Sequence, residues 1–131
     1  MIPVPYRSII NGGLKPGKSF TVRGMVTHNP HRIAFNLRHS YGIAFHYNIR
    51  FDENKVVCNS WDGLWGTEEF PAGMPFKEGQ AFEIYIFCTD DSFNVFVNGQ
   101  HVCSFKHRFL SLNDIDVFEV TGELQIDHVD A

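Results

Sequence analysis

The strongest constraint on the fold of this chain is the alternation of apolar and polar residues at every second position, interrupted by short turn sequences. Successive side chains of a β-strand point to opposite faces, so this period predicts strands with one buried face. No window keeps an apolar stripe at helical spacing over three turns, and helix is expected to be scarce. The pattern predicts strands over Tyr6–Ile10, Ser19–Val26, Arg32–Arg38, Ile43–Phe51, Lys55–Ser60, Trp65–Phe70, Phe82–Thr89, Phe93–Asn98, His101–Phe105, Asp116–Thr121 and Glu123–Val129.

Clusters of Gly, Pro, Asn and Asp separate these segments and predict the turns between them. Asn98-Gly99 gives the strongest hairpin signal, because both central residues of a type I′ turn need a positive φ. Many short strands joined by turns indicate an all-β fold, specifically a two-sheet antiparallel β-sandwich of the jelly-roll type. A barrel is the alternative.

Composition limits both the size of the fold and the classes of partner. The chain has 131 residues, 44% of them hydrophobic, which suits a single domain over residues 1–131. Its net charge of -4 argues against nucleic acid and anionic lipid as partners. The N-terminus lacks an export signal and no stretch approaches the roughly 18 apolar residues of a membrane span, so we expect no membrane insertion and a cytoplasmic location.

The cysteines and histidines do not form a recognisable metal motif. Cys58, Cys88 and Cys103 are odd in number and lack a C-x-x-C spacing, which favours reduced thiols over a disulfide scaffold or a zinc site. Among the seven histidines, His28 and His31 are the closest group, and no further ligand stands at a metal-binding distance in sequence. We therefore expect no metal and no other cofactor.

One predicted strand carries three polar residues on the same face. His46, Asn48 and Arg50 occupy every second position of an otherwise apolar segment, so their side chains lie roughly 7 Å apart on one side of the sheet. This spacing is suited to side chains that reach neighbouring hydroxyls on one small ring, and all three side chains can bond to hydroxyls. Taken alone, the triplet is also compatible with an ordinary solvated strand face.

Further residues downstream complete a set suited to a sugar. Asn59 can bond an exocyclic hydroxyl, Glu68 can accept charge-assisted hydrogen bonds, and Trp65 offers a flat wall for the C–H-rich face of a pyranose. A single tryptophan is more often a core residue, but here all these residues fall between His46 and Glu68. The combination predicts a sugar-binding site in which Arg50 and Glu68 also pair with each other.

These motifs resemble those of the galectin family, and the similarity covers nearly the whole chain. The family's His-x-Asn-Pro-Arg, Val-x-Asn and Trp-Gly-x-Glu-x-Arg motifs correspond here to His46-Tyr47-Asn48-Ile49-Arg50, Val57-Cys58-Asn59 and Trp65-Gly66-Thr67-Glu68-Glu69-Phe70. The chain looks most like one carbohydrate-recognition domain of a tandem-repeat galectin.

The resemblance implies a non-enzymatic lectin that binds β-galactosides such as lactose and N-acetyllactosamine without calcium. Its partners would be glycoproteins or glycolipids that carry these glycans. The family occurs as homodimers, linked domains and monomers, and all three forms stay open for this chain. Release from the cytoplasm by a non-classical route is likewise implied by similarity.

Two departures from the family motifs lie close to the sugar site. Ile49 replaces proline, which costs little in an extended strand because the fixed φ of proline is permitted there without being required. Phe70 replaces an arginine that reaches the sugar linked to galactose in similar proteins. Loss of that charge-assisted contact removes roughly 1.5–3 kcal/mol, in part recovered from solvent, so we expect weaker disaccharide binding.

Trp61 and Arg38 lie near the predicted sugar site in sequence, and the role of each has two interpretations. The gap from Asn59 to Trp65 is six positions, one shorter than is usual in the family, and it contains an additional Trp61. Trp61 is either a second contact for a longer glycan or an aromatic residue packed on its own loop. Arg38, together with Trp61 and Phe70, could form an extended subsite, and Arg38 could equally be a solvated strand residue.

Two other functions compete with galactoside binding. A glycosidase needs two carboxylates across the scissile bond, but Glu68 and Glu69 are sequence neighbours that face opposite ways on a strand. The second is a degenerate member of the family, motivated by Ile49 and Phe70, that has lost sugar affinity and serves as a structural or protein-interaction module.

Overall fold

Ten strands make up nearly all the regular structure of the chain. A computed structural model describes residues 1–131, and ten of the eleven predicted strands are present with bounds that agree within one residue. A single 3-10 turn over Leu112–Asp114 is the only helical element. The strands are β1 (Tyr6–Ile9), β2 (Ser19–Val26), β3 (Arg32–His39), β4 (Gly42–Arg50), β5 (Lys55–Trp61), β6 (Ala81–Cys88), β7 (Ser92–Val97), β8 (Gln100–Lys106), β9 (Val117–Gly122) and β10 (Leu124–Asp130).

The strands form two five-stranded antiparallel sheets that share one core. The first sheet has the order β1-β9-β3-β4-β5 and the second the order β10-β2-β6-β7-β8. A cluster of 29 buried residues lies between them, with contributions from both sheets. The predicted two-sheet sandwich is thus confirmed, and the barrel alternative is wrong because each sheet ends in its own edge strands.

The hairpin predicted at Asn98-Gly99 is present. These two residues connect β7 to β8 with φ values of 52° and 82°, as a type I′ turn requires. The sequence therefore fixes the register of this pair locally, through two residues that tolerate a left-handed backbone.

Alternation along β4 separates the core from the candidate site. Phe45, Tyr47 and Ile49 are fully buried, whereas His46 and Arg50 on the other face are partly exposed. Because β4 lies between β3 and β5, the polar face of β4 is flanked on both sides by polar residues of its neighbours. This places the candidate site on the outer surface of the first sheet.

The predicted strand Trp65–Phe70 is wrong. This segment pairs with β5 only at isolated positions, Trp61 with Trp65 and Cys58 with Glu69. Between these two points the Gly66 carbonyl accepts from Asn59 Nδ2 at 3.0 Å and the Thr67 carbonyl accepts from the Arg108 guanidinium at 2.7 Å. Side chains therefore take the place of the backbone partners that a regular strand would have.

The remaining expectations concern thiols, metals and membranes. Cys58, Cys88 and Cys103 are buried free thiols. No group of three or more His, Cys, Asp or Glu side chains is placed to hold a metal ion. None of the helical structure in the chain has the length and apolar character needed to traverse a bilayer.

Candidate carbohydrate-binding site

A cleft of about 330 Å³ lies where β4, β5 and the segment 65–68 meet. Five of the six residues predicted to bind sugar line this cleft, and the sixth, Asn48, does not. Two of the five come from β4, one from β5 and two from the irregular segment that follows. The lining consists of His46, Arg50, Val57, Asn59, Trp65, Gly66 and Glu68.

The imidazole of His46 is held as a neutral hydrogen-bond acceptor. Asn36 donates from Nδ2 to Glu119 Oε1 at 3.0 Å, so its Oδ1 is the atom that faces His46 Nδ1 at 2.6 Å. His46 must therefore carry its proton on Nδ1, which leaves Nε2 bare. Burial, helped by the nearby Arg50 cation, lowers the pKa of His46 to about 4, so the ring is uncharged at neutral pH.

Arg50 is fixed in place by three side chains. Its Nε donates to Asn48 Oδ1 at 2.8 Å, and its Nη1 donates to Glu53 Oε1 at 3.1 Å. Its Nη2 lies 3.5 Å from Glu68 Oε2, which confirms the predicted pairing of Arg50 with Glu68. The guanidinium and the carboxylate thus stand side by side in the cleft with their orientation already set.

Asn48 alternates with His46 and Arg50 along β4, but unlike them it does not line the cleft. Its carboxamide is buried, donates to the Ile33 carbonyl at 3.1 Å and accepts from Arg50 Nε. The amide nitrogen has two hydrogens, so one is left for another acceptor. In this structure Asn48 mainly orients Arg50 from beneath, and its direct contact with a ligand stays a prediction.

The amide of Asn59 is oriented so that its nitrogen serves the cleft. Its Oδ1 accepts from the Ser60 backbone N–H at 2.8 Å and from Arg108 Nη1 at 2.9 Å, which occupies both lone pairs. Its Nδ2 donates to the Gly66 carbonyl at 3.0 Å and has a second hydrogen left. Asn59 can therefore act toward a ligand only as a donor.

Arg108 supports the cleft from outside its lining, a role that the sequence analysis did not assign to it. In addition to Asn59, its guanidinium bonds Ser60 Oγ, the Thr67 carbonyl and Glu69 Oε2, the last at 2.8 Å. A Cβ at Gly66 would lie 2.7 Å from Arg108 Nη1, so the glycine makes room for this clamp. The residue precedes Phe109 on a loop about forty positions away, and no local pattern links it to the site.

Trp65 is an exposed wall of the cleft and not a core residue. Its side chain is 54% exposed, and its ring centroid lies 5.0 Å from that of His46 at an interplanar angle of 47°. A flat ligand that covers the indole would therefore lie within reach of the imidazole. This removes the interpretation of Trp65 as ordinary core.

Glu68 and Glu69 point in different directions, as predicted. Glu68 faces Arg50 in the cleft, whereas Glu69 binds Arg108 at 2.8 Å on the far side of the segment. A pair of carboxylates that flanks one scissile bond is therefore not formed by these residues.

The residues predicted for an extended subsite lie outside the cleft. Phe70 is 57% exposed and has the Lys55 ammonium 5.0 Å from its ring centroid. Arg38 donates to Glu119 Oε1 at 3.3 Å, so it is an ion-pair partner and not a freely solvated side chain. Trp61 is half-buried and is the last residue of β5, and its ring lies beside Gly42 of β4, where an added Cβ would come within 3.0 Å of it. It therefore packs on the neighbouring strand, and its contact with a longer glycan stays a prediction.

Comparison with known proteins identifies the family. The model of the galactoside-binding lectins matches residues 5–131. Galectin-7 from Homo sapiens is 38% identical over 134 residues, covering 98% of both chains. Galectin-3 from Cricetulus longicaudatus is 36% identical over 129 residues, and the chain spans about half the length of the galectin-3 relatives it matches, 53% in this case.

Solved structures give the same result for the fold. The galectin LEC-6 of Caenorhabditis elegans superposes with a TM-score of 0.89 at 26% identity, covering 99% of this chain and 93% of that one. Sheep galectin-11, solved with glycerol, gives a TM-score of 0.89 at 26% identity over 99% and 98% of the two chains. A lectin binds sugar without transforming it, which agrees with the prediction of a non-enzymatic protein. The chain therefore belongs to the galectin family.

Proposed function

We propose that the cleft binds β-galactosides of the lactose and N-acetyllactosamine type, as carried by glycoproteins and glycolipids. The observation that supports this most strongly is a preoriented Arg50–Glu68 pair beside a neutral imidazole acceptor and an exposed indole, all within one cleft of about 330 Å³. This is the set of groups needed to hold one pyranose by its hydroxyl edge and its apolar face.

The polar groups complement hydroxyls because each hydroxyl both donates and accepts. His46 Nε2 takes a hydroxyl proton, while Arg50 donates to the same or a neighbouring oxygen. Asn59 Nδ2 donates to the exocyclic hydroxyl and Glu68 accepts its proton. Two of these four groups are charged, and charge-assisted bonds are the stronger ones. Asn48 contributes its remaining amide hydrogen from beneath Arg50.

The indole of Trp65 provides the apolar half of the recognition. Because the axial hydroxyl of galactose leaves one C–H-rich face free, that face can lie on the exposed ring while the hydroxyl edge meets β4. A rigid aromatic surface loses little conformational entropy when it is covered. Selection of galactose over glucose follows from the C4 hydroxyl, which in galactose is axial and points away from the indole toward His46 and Arg50, whereas in glucose it is equatorial.

A tryptophan fluorescence titration tests this proposal. The chain has two tryptophans, so a Trp61→Phe variant leaves Trp65 as the only reporter. We expect saturable change with lactose and none with cellobiose, a disaccharide that differs at the C4 hydroxyl of the outer sugar. No change with lactose up to high millimolar concentration would contradict the proposal.

A second candidate function is the degenerate, structural or protein-interaction module. It is favoured by Phe70, which stacks with Lys55 and offers no charge to a second sugar, and by Ile49. The same titration separates the two candidates, because a module without sugar affinity leaves the Trp65 emission unaltered.

The domain organisation, oligomeric state and location of the protein are proposed separately from its ligand. Residues 1–131 are taken as one carbohydrate-recognition domain because a single cluster of 29 buried residues joins both sheets. Membership in the tandem-repeat type, a homodimer, and cytoplasmic residence with non-classical release stay predictions. Sedimentation velocity of the purified chain tests the dimer.

A further inference from the structure

Two of the three thiols lie against each other outside the sugar cleft. Cys58 Sγ and Cys103 Sγ are 3.5 Å apart, although the residues are separated by 45 positions in sequence. Cys58 belongs to β5 and Cys103 to β8, which are edge strands of opposite sheets. The contact therefore spans the two layers of the sandwich at one of its edges.

The pair is closed to solvent on one side and borders a groove on the other. Cys58 is 0% exposed, whereas Cys103 is 6% exposed and lines a groove of about 410 Å³ next to the segment that follows Glu69. No residue of this groove lines the sugar cleft. Small polar molecules can therefore reach Cys103 without crossing the ligand site. The groove is lined by Glu69, Phe70, Pro71, Ala72, His101, Val102, Cys103 and Ser104.

The two sulfurs share a hydrogen bond in which either can be the donor. With the more deeply buried Cys58 thiol as donor, this bond lowers the pKa of Cys103 and raises that of Cys58. The thiolate is the nucleophilic form of cysteine, so the thiol that borders the groove is also the more reactive one. Cys88 is neither acidic nor paired with another thiol. Burial raises its pKa to about 11, and its polar contacts are with Thr89 and His107.

We propose that Cys58 and Cys103 are a modification site at which a small hydroperoxide forms an inter-sheet disulfide. The Cys103 thiolate attacks the terminal peroxide oxygen, the O–O bond breaks, and the leaving oxygen takes a proton as water or alcohol. This step oxidises Cys103 to a sulfenic acid and reduces the peroxide. Cys58 then loses its proton and attacks the Cys103 sulfur, the S–O bond breaks, and the hydroxyl leaves as water.

The geometry favours this second step over further oxidation. A disulfide has a sulfur separation of about 2.05 Å, so the two atoms need to approach by about 1.5 Å from their present contact. The resolving thiol is already the neighbour of the attacked one, so the sulfenic acid is captured within the molecule. The product fastens the strand that carries Asn59 to the opposite sheet.

Peptide mapping after peroxide treatment tests the proposal without any sugar. We expect the intact wild-type protein to lose two hydrogen atoms in mass, a non-reduced digest to contain Cys58 joined to Cys103, and Cys88 to stay alkylatable. A Cys88→Ser control should behave identically. Three alkylatable thiols after treatment, or a disulfide that includes Cys88 or a second molecule, would overturn the proposal.

The order of attack is tested with two single variants. In Cys58→Ala the proposal predicts a sulfenic acid on Cys103 that dimedone traps, because no resolving thiol is present. In Cys103→Ala it predicts an unreacted Cys58, because that sulfur is sealed from the groove. The reverse pattern would contradict the assignment of Cys103 as the attacked residue. If circular dichroism shows that either variant is unfolded, the peptide map of the oxidised wild-type protein alone tests the proposal.

Discussion

The two halves of the sugar cleft are built in different ways. His46 and Arg50 lie on β4, which is paired on both sides by β3 and β5. Trp65 and Glu68 lie on an irregular segment that pairs with β5 only at its two ends. Between those ends the segment is held by side chains: Asn59 donates to the Gly66 carbonyl, Arg108 donates to the Thr67 carbonyl and Arg50 pairs with Glu68. The ladder alone fixes the backbone of β4, whereas the irregular segment depends on side-chain contacts for its position.

Removal of the pair that joins the two halves should have the largest effect. Arg50→Ala removes the charged donor of the cleft and Glu68→Ala removes its charged acceptor, so each variant loses a charge-assisted contact with the sugar and the group that orients the remaining one. We expect about a 100-fold loss of lactose affinity, near 3 kcal/mol. Neither variant should be retained on immobilised lactose. Arg23→Ala is the control, because Arg23 pairs with Glu83 on an exposed part of the other sheet at 2.8 Å. Full retention by the folded variants would remove the site assignment.

Loss of the Arg108 contacts should lower the lactose affinity through the irregular segment only. Arg108→Ala frees Asn59 Oδ1, Ser60 Oγ, the Thr67 carbonyl and Glu69 at once, so we expect about a 10-fold loss of affinity by calorimetry. Arg108→Lys should recover part of this loss because it keeps one charged donor. Unchanged affinity in the alanine variant would show that the segment holds its position without Arg108.

Restoration of an arginine at position 70 should have a smaller effect and act on one ligand only. Phe70→Arg adds a charged donor near the second sugar but places it beside Lys55, so we expect only about a threefold gain for lactose. Methyl β-galactoside, which has no second sugar, should bind as before. An equal gain for both ligands would mean that position 70 acts on galactose itself.

The smallest expected effect is that of mild acid. Protonation of Nε2 would destroy the acceptor, but the pKa of His46 is about 4, so affinity should change less than about twofold from pH 7.5 to pH 5. It should then fall as the pH drops through about 4. A midpoint near 6.5, the usual value for an exposed histidine, would show that the imidazole is not held neutral by its surroundings.

The regular strands were predictable because the sequence patterns that define them are local. The alternation of Phe45, Tyr47 and Ile49 with polar neighbours defines β4, and Asn98-Gly99 defines a hairpin. These features depend on residues within a few positions of each other. Ten strand positions and the grouping of five site residues followed from such signals and from the family motifs.

The remaining features depend on contacts between distant positions. Trp65 to Phe70 alternates like a strand, but Arg108 takes the Thr67 carbonyl that a ladder would use. The position of Asn48 in the alternating pattern predicts a ligand contact, but its amide is buried and donates to the Ile33 carbonyl. Periodicity states which side of a strand a residue faces and does not state what already occupies that side.

A two-dimensional NMR titration with lactose tests the central claim most directly, because it observes both halves of the cleft at once. We predict saturable shifts at the Trp65 indole N–H, the Asn59 side-chain amide and the backbone of His46 and Glu68, with a smaller shift at the Trp61 indole. Spectra without shifts at high millimolar lactose, or shifts confined to the second sheet, would contradict the account.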